Sequence, residues 1–538
     1  MAHSSSIFSR VPVDMPNRSG FDLSHENLGT MTCGTLTPVL VDELLPNDTI
    51  SLGSAFQVQL PPMASDFYGR VDFVLEAFFV PARLLWGGWQ SFMTHPTSGP
   101  QYPSGTPVQG RSRYMPQLEI TSALAEGMLG SGTLADFLGF KPTDPSELPT
   151  VNLNLLPFLA YHRIWDDWYR DSRIQAPLFY RPDSAINSTT QLNSVQYMPY
   201  VSGGVDLPTK VQASLVGSTF SDGVSVTSLR QRNWAKDYFT TASTLPQAGN
   251  ASLLEFDVDS SSETGAFSIA ALRSANSLQK WMERNNIAGY KYSDQIYAQY
   301  GIYPSDAIMD KCIYLGRHTQ NVYTRSVFQT ASATDDKQAF SGVGTKYGSS
   351  QCVGEGSLVD EIRVTEHGYL FVLASLVPHA YYSTGVRRYL SRSVVGDIAF
   401  PLLAGMGDQE IQKSELDSSF YGSKATFGYT DRYAEYKYHD DEVHGLLRDG
   451  ENLDYMALQR SFDSRAGGVE LSSQFLQIPK EYLDQVFSAS VDSTKFSCWY
   501  DIYFPYRKVS TLPEYSLPTL ADMKNVHIEY MSRSGKRL

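Results

Sequence analysis

Cysteine is scarce, and the few present are spread out. The chain has 538 residues and four cysteines, Cys33, Cys312, Cys352 and Cys498, none in a CxxC pair. That excludes a disulfide-stapled scaffold and the CxxC redox and zinc motifs, and predicts reduced, mostly buried thiols in a chain made in the cytosol. Charge is thin as well, at 19% of residues against about 25% in an ordinary soluble protein. Long hydrophobic runs are missing. The longest, from Tyr369 to Pro378, is strand length and well short of the roughly 18 residues of a membrane span. The opening Met-Ala-His-Ser-Ser-Ser lacks the charged start and apolar stretch of a secretory signal. The net charge is 43 − 57 = −14, which disfavours a protein that coats nucleic acid unaided, because phosphate binding needs Lys and Arg.

Catalytic signatures are also missing. There is no G-x-S-x-G, no G-x-x-x-x-G-K-[ST] and no H-E-x-x-H, so no nucleophile elbow, P-loop or zincin helix. The run Gly342-Val-Gly-Thr-Lys-Tyr-Gly348 misses G-x-G-x-x-G by one residue and lies in a polar stretch.

What the chain does have is aromatics, 12% of residues with 33 Tyr and 27 Phe, and enough length to bury an ample core without metal or disulfides. With so little charge, its surface must carry neutral polar and aromatic side chains, which suits extensive contact surfaces. Ile50, Leu52, Ser54, Phe56, Val58 and Leu60 alternate with Ser51, Gly53, Ala55, Gln57 and Gln59, the period-2 signal of a half-buried strand. Strands are also predicted over 35–45, 71–80, 361–377 (broken at Gly368) and 496–504. The interval 71–80 is apolar on both faces apart from Asp72 and Glu76. Pro46-Asn47-Asp48 is a turn signal.

Two stretches read as helices. Leu156, Ala160, Ile164 and Trp168 form a stripe within 155–174, and Ile269, Leu272, Ala275, Leu278 and Met282 form one within 266–285. Ser/Thr/Asn/Gly-rich stretches at 184–228 and 329–356 read as long loops. The expected fold is mainly β, a jelly-roll barrel with long inserted loops and a few helices.

Few residues could carry chemistry. His439-Asp-Asp-Glu-Val-His444 gathers two imidazoles and three carboxylates, but a spacing of five does not place both histidines on one helix face. A solvated acidic turn is expected, with His439 and His444 a weak metal candidate. Asp166 and Asp167 can each pair with Arg163 or Arg170, predicting a salt-bridged helix surface. Aromatic and Arg interleaving here, including Trp165, Trp168 and Tyr169, could stack bases, but Trp168 in the stripe predicts core. Glu366-His367 is read inside a strand, with a structural histidine. The tail at 533–538 holds Arg533, Lys536 and Arg537 and no acid; it reads as a solvated arm or as one that touches phosphates.

Several longer motifs fall in one order. They are Arg18-Ser-Gly-Phe-Asp-Leu-Ser-His25, Pro38-Val-Leu-Val-Asp-Glu-Leu-Leu-Pro-Asn-Asp-Thr49, Phe78-Phe-Val-Pro-Ala-Arg-Leu-Leu-Trp86, Leu156-Pro-Phe-Leu-Ala-Tyr161 with Ile164-Trp-Asp-Asp-Trp-Tyr-Arg-Asp171, and Asp237-Tyr-Phe-Thr240. Tyr314-Leu-Gly316, Thr365-Glu-His-Gly368 and Phe427-Gly-Tyr-Thr-Asp-Arg-Tyr-Ala-Glu-Tyr436 follow. Together they resemble the major capsid protein of the Microviridae, small tailless single-stranded DNA phages, in the gokushovirus-like branch. Leu159 stands where that family has Arg, and Asn47 where it has Gly.

The resemblance implies one capsid domain over 1–538, an eight-stranded jelly roll, and a T=1 icosahedral shell around a circular single-stranded DNA genome. It implies no enzyme and no cofactor. Its partners would be other copies of the chain, a small basic DNA-packaging protein, the genome, a minor or pilot protein and a host receptor. The virion would be its location, with assembly in the bacterial cytoplasm and no membrane insertion. An insertion forms a surface protrusion in that branch; 184–228 is the candidate, 329–356 the alternative. Against this stand a cupin-like metal enzyme built on His439 and His444, whose ligands would have to converge from several strands rather than one turn, and a carbohydrate-binding β-sandwich.

Overall fold

A computed structural model describes residues 18–86, 115–178, 224–246, 310–328, 346–423, 425–462, 469–487 and 496–513, with short pieces within 89–93, 210–222, 273–301 and 333–341. The chain begins with β1 (Ser19–Asp22), β2 (His25–Met31), β3 (Thr37–Leu44), β4 (Thr49–Gln59) and β5 (Val71–Pro81). A three-stranded sheet follows from β6 (Gln117–Ile120), β7 (Val151–Asn154) and β8 (Lys210–Gln212). Next come β9 (Ile313–Asn321), β10 (Tyr323–Phe328), β11 (Ala333–Asp335), β12 (Gln338–Ser341), β13 (Lys346–Arg363) and β14 (Gly368–Pro378). Short pieces β15 (Tyr381–Tyr382), β16 (Gln409–Gln412), β17 (Thr426–Thr430) and β18 (Asp441–Glu442) precede β19 (Cys498–Phe504) and β20 (Tyr506–Ser510).

Two antiparallel sheets form the body. One is ordered β3-β14-β5-β9; the other has seven strands, with β4 at its centre beside β13, β19 and β20. The chain crosses repeatedly between them, at β3–β4, β4–β5, β9–β10 and β13–β14. That winding between two facing sheets is consistent with a jelly-roll sandwich; the sheets stack face to face and no closed barrel is defined. The mainly β expectation holds.

The faces follow the residue pattern. In β4, Ile50, Leu52, Ser54, Phe56 and Val58 are buried while Gln57 and Ser51 point outward, as the alternation predicts. Phe56 meets Phe73 of β5 across the sandwich at 4.9 Å between ring centres. β5 and β14 are buried along their whole lengths, because their second face is also covered. Phe78, Val80, Phe371 and Leu373 pack there under the helix Leu156–Ile164 and its surroundings. All four cysteines are buried, and none forms a disulfide. A third cluster, around Phe239, Tyr382, Phe427 and Phe475, fills the region of β15–β18.

The β3–β4 turn bears on one departure noted above. Asn47 has φ 76°, a left-handed conformation that Gly adopts freely and Asn tolerates better than most residues. The Asp48 carboxylate accepts the N–H of Leu45 at 2.9 Å and closes the turn. So Asn can stand here in place of Gly. Leu159, in place of Arg, is fully buried in the helix core.

Five expectations need correction. The stretch 329–356 is not one loop: its described residues form β11, β12 and the first half of β13. Gly348 and Gly354 are there for close approach. A Cβ at Gly348 would lie 2.2 Å from the Ser65 carbonyl oxygen, and one at Gly354 would lie 2.6 Å from the Phe56 ring. Second, the helix over 155–174 stops at Tyr169. Its last turn, Trp165–Tyr169, is a π turn closed by Arg170 N–H to Trp165 O at 2.9 Å. The extra residue in that turn rotates Trp168 off the stripe; Trp168 is 44% exposed and Trp165 takes the buried place. Third, the Arg163–Asp167 and Asp166–Arg170 pairs form, at 2.8 and 2.7 Å, but inside the protein rather than on a helix surface.

Fourth, Glu366 and His367 sit in the turn between β13 and β14. Gly368 opens β14 there, where a Cβ would meet Val80 O at 2.4 Å. Fifth, in 266–285 the described residues are helical, yet Leu278 is exposed. In 184–228, β8, Asp222 and 224–228 are described, and Val226 is buried in the core beside the helix; the rest lies outside the described residues, as does 533–538.

Candidate assembly surface

The residues singled out for chemistry turn out to brace the fold. Arg163 and Arg170 pair with Asp167 and Asp166 one turn away. Those carboxylates also hold the chain beyond the helix: Asp166 accepts the N–H of Leu178 at 3.1 Å and Asp167 that of Cys312 at 3.0 Å. The indoles of Trp165 and Trp168 donate to the carbonyls of Gln231 and Cys312. Buried His162 accepts at Nδ1 from the Arg230 guanidinium at 2.9 Å; burial and that cation hold its pKa well below the ordinary value, so it stays neutral. A charge-filled seam of this kind leaves no open nucleophile or base.

Glu76 was the signal for a second brace. A carboxylate in an apolar strand needs a partner. Arg232 supplies it at 2.7 Å and Tyr169 donates a hydroxyl at 2.5 Å. Nothing local in the sequence marks Arg232, which lies far from β5 along the chain. Glu366, in its turn, accepts from Arg83 at 2.8 Å, and His367 packs edge-on against Trp89.

His439 and His444 do not converge. β18 adds Asp441–Glu442 in parallel to β15 and leaves both imidazoles exposed. His444 Nε2 lies 3.2 Å from Glu442, and His439 Nδ1 lies 3.4 Å from the Arg387 guanidinium, which also pairs with Glu442. A guanidinium in that position opposes a bound metal cation. Among the described residues no set of three His, Cys, Asp or Glu side chains is placed to hold a metal. Behind the turn lies a cleft of about 370 Å³ that includes Tyr238, Arg387, Arg388 and Asp440 in its lining. Burial and the nearby Asp237 raise the Asp440 carboxyl to about 7. Glu415, Glu435 and Glu442 also line the cleft, where Arg387 and Arg388 pair with them.

What the surface does offer is exposed apolar side chains, which on the sheet face stand beside carboxylates such as Glu26 and Asp501. Leu28, Val353, Trp499 and Tyr503 project from the outer face of the seven-stranded sheet. A second strip runs along 389–402, where Leu402 is 93% and Val395 71% exposed. Contiguous apolar patches of this kind on an ordered surface mark protein–protein contact. A thick sandwich core and a surface rich in exposed aromatics suit a protein that works through its surfaces.

The comparisons place it. The chain belongs to the phage family described as Capsid protein (F protein), whose family model matches residues 9–520. It is 26% identical to capsid protein VP1 of Chlamydia phage 1, covering 95% of this chain and 97% of that one. It is 25% identical to capsid protein VP1 of Bdellovibrio phage phiMH2K (86% and 88%) and 24% to that of Spiroplasma virus 4 (94% and 95%). These relatives are Microviridae coat proteins. The chain is a structural capsid protein of the virion and not an enzyme; the metal-enzyme and sugar-binding readings find no support.

Proposed function

We propose that this chain is the major subunit of a T=1 icosahedral shell around a circular single-stranded DNA genome. The observation that carries this is the near end-to-end match to the capsid proteins VP1 of three phages. The charge supports a division of labour. A coat of −14 per copy repels phosphate, so a small basic protein would accompany the DNA. Within the chain, 533–538 is the arm that meets DNA, through Arg533, Lys536 and Arg537, and 184–228 contains the surface protrusion. Assembly takes place in the bacterial cytoplasm, where four cysteines outside any disulfide suit a reducing medium.

Negative-stain electron microscopy of the purified chain, alone and with the phage's other gene products, tests the reading. Uniform round shells of one size are expected, and nucleic acid extracted from filled particles should be digested by a single-strand-specific nuclease. Small oligomers in both preparations would overturn the shell, and nuclease-resistant duplex would overturn the genome type. Deleting 533–538 should lower DNA content per particle while leaving shell formation intact.

A further inference from the structure

The coat reading says that copies meet; the structure points to where. Between β15 and β16 the chain crosses the surface in separate short turns of 3-10 helix, Arg388–Leu390, Val395–Asp397 and Pro401–Met406. From 389 to 402 nearly every side chain faces water. Tyr389, Leu390, Val394, Val395, Ile398 and Leu402 are all more than half of the way out or at its margin, from 50% to 93% exposed. Phe400, also exposed, continues the strip. Leaving so many large apolar groups in water is unfavourable, at about 25 cal/mol per Å² of area that could be covered.

The strap nevertheless has a fixed shape, because its arginines turn towards the body and Asp397 ties its own backbone. Arg388 donates to Glu410 O at 2.6 Å and to Glu415 at 3.2 Å. Arg392 donates to Glu435 at 3.1 Å, with its guanidinium 4.7 Å from the Tyr436 ring. Asp397 accepts the N–H groups of Ser393 and Val394 at 2.8 and 3.0 Å, and the Tyr433 hydroxyl accepts that of Phe400 at 3.3 Å. Polar anchors inward and apolar side chains outward make a preformed contact element, with little left to order on binding.

Its chemistry selects the occupant. Arg392 and Asp397 are the charged residues of 389–402: Arg392 is paired with Glu435, and Asp397, though exposed, accepts N–H groups of the strap itself. The outward face therefore lacks the cations that a phosphate backbone or an anionic lipid surface requires. Broken turns are also a poor backbone for hydrocarbon, where every N–H and C=O must be paired. A neutral, ordered apolar strip fits the apolar face of a protein. In a shell made from one kind of chain, the neighbour at highest local concentration is that chain. We propose that the 389–402 strap is a contact between copies of this chain, covered by a neighbouring copy in the shell; this rests on the coat reading and adds the surface to it.

A single new thiol tests it. The four native cysteines are buried, so Leu402→Cys in the full chain would be the site a maleimide reaches. Labelling should be fast in the free subunit and slower by about tenfold or more in shells formed from this chain alone, the ratio that about 1.4 kcal/mol of covering free energy produces. Equal rates overturn the proposal. So does protection that appears only when another virion protein is added, which would make that protein the occupant. The double variant Val395→Asp, Leu402→Asp is an independent check. Both sites are exposed, so subunit melting should stay unchanged while shell yield collapses; a normal yield overturns the proposal. If the unsubstituted chain forms no shells under any condition, the coat reading itself falls, an outcome the two variants cannot mimic.

Discussion

Asp440 shows how one side chain makes stability depend on pH. Its carboxyl sits beside the cleft near Asp237 and Glu442, with Arg387 as the opposing cation, and is raised to about 7 from an ordinary 3.8. The folded protein thus holds this proton more tightly than the unfolded chain does. The resulting stability is fully present below about pH 4 and is lost as pH rises to about 7, where the buried carboxylate ionises. Asp171 runs the other way. Its partners Arg173 and Lys236 overcome burial and hold it at about 2, so its stability is lost as pH falls from about 4 towards 2. The two windows do not overlap. Melting temperature of the free subunit should therefore decline between pH 4 and 7, and Asp440→Asn should flatten that decline while leaving the acid limb below pH 4 in place. An unchanged slope in the variant would show that Asp440 titrates like an exposed carboxyl.

At the scale of an element, the π turn at Trp165–Tyr169 decides which aromatic is core. Trp165 is 3% exposed, donates to Gln231 O, and has the Arg230 guanidinium 4.9 Å from its ring. Trp168 is half out, resting against Phe78 and Tyr314. Trp165→Ala should cost about 3–5 kcal/mol, as large buried aromatics do. Trp168→Ala should cost about 1–2 kcal/mol, from one hydrogen bond and partial burial. Chemical denaturation of the two variants checks the order; equal losses would mean that the turn is an ordinary α turn in solution. The same element shows what a sequence can convey. The four-residue spacing of Leu156, Ala160 and Ile164 marked the buried side correctly, since those contacts are local. One extra residue in the last turn leaves no mark in the period, and the stripe read through to Trp168 fails there. The strands at 50–60 and 496–504 were legible because alternation and burial coincide, and 71–80 because a short unbroken apolar run suits a strand covered on both faces. β13 was not, because Gly348 and Gly354 answer to Ser65 and Phe56, which lie nearly 300 residues away in the sequence. The anchors of the strap were hidden for the same reason: Glu415 and Glu435 are brought to Arg388 and Arg392 only by the fold.

For the whole molecule, charge and apolar area act against each other. Each copy carries −14 with a pI near 5.2, and a shell concentrates that charge on a closed surface. The exposed strip at 389–402 and the outer sheet face favour association, while like charges resist it. Repulsion between exposed charges is screened over about 8 Å at physiological salt and about 30 Å at 0.01 M. Apolar contact is not screened; salts such as sulfate strengthen it. Shell formation by the chain without DNA should therefore rise steeply with ionic strength, and a basic polypeptide should substitute for salt at low ionic strength by neutralising the same charge. Light scattering and sedimentation across a salt series at fixed protein concentration would measure this. Shells that fall apart as salt is raised would instead place ion pairs between copies at the centre of assembly. That result would shift attention from the apolar strap to partly exposed charges such as Arg70 and Arg317, whose side chains are about half exposed in the free subunit although each already has a partner in Asp72 or Thr319.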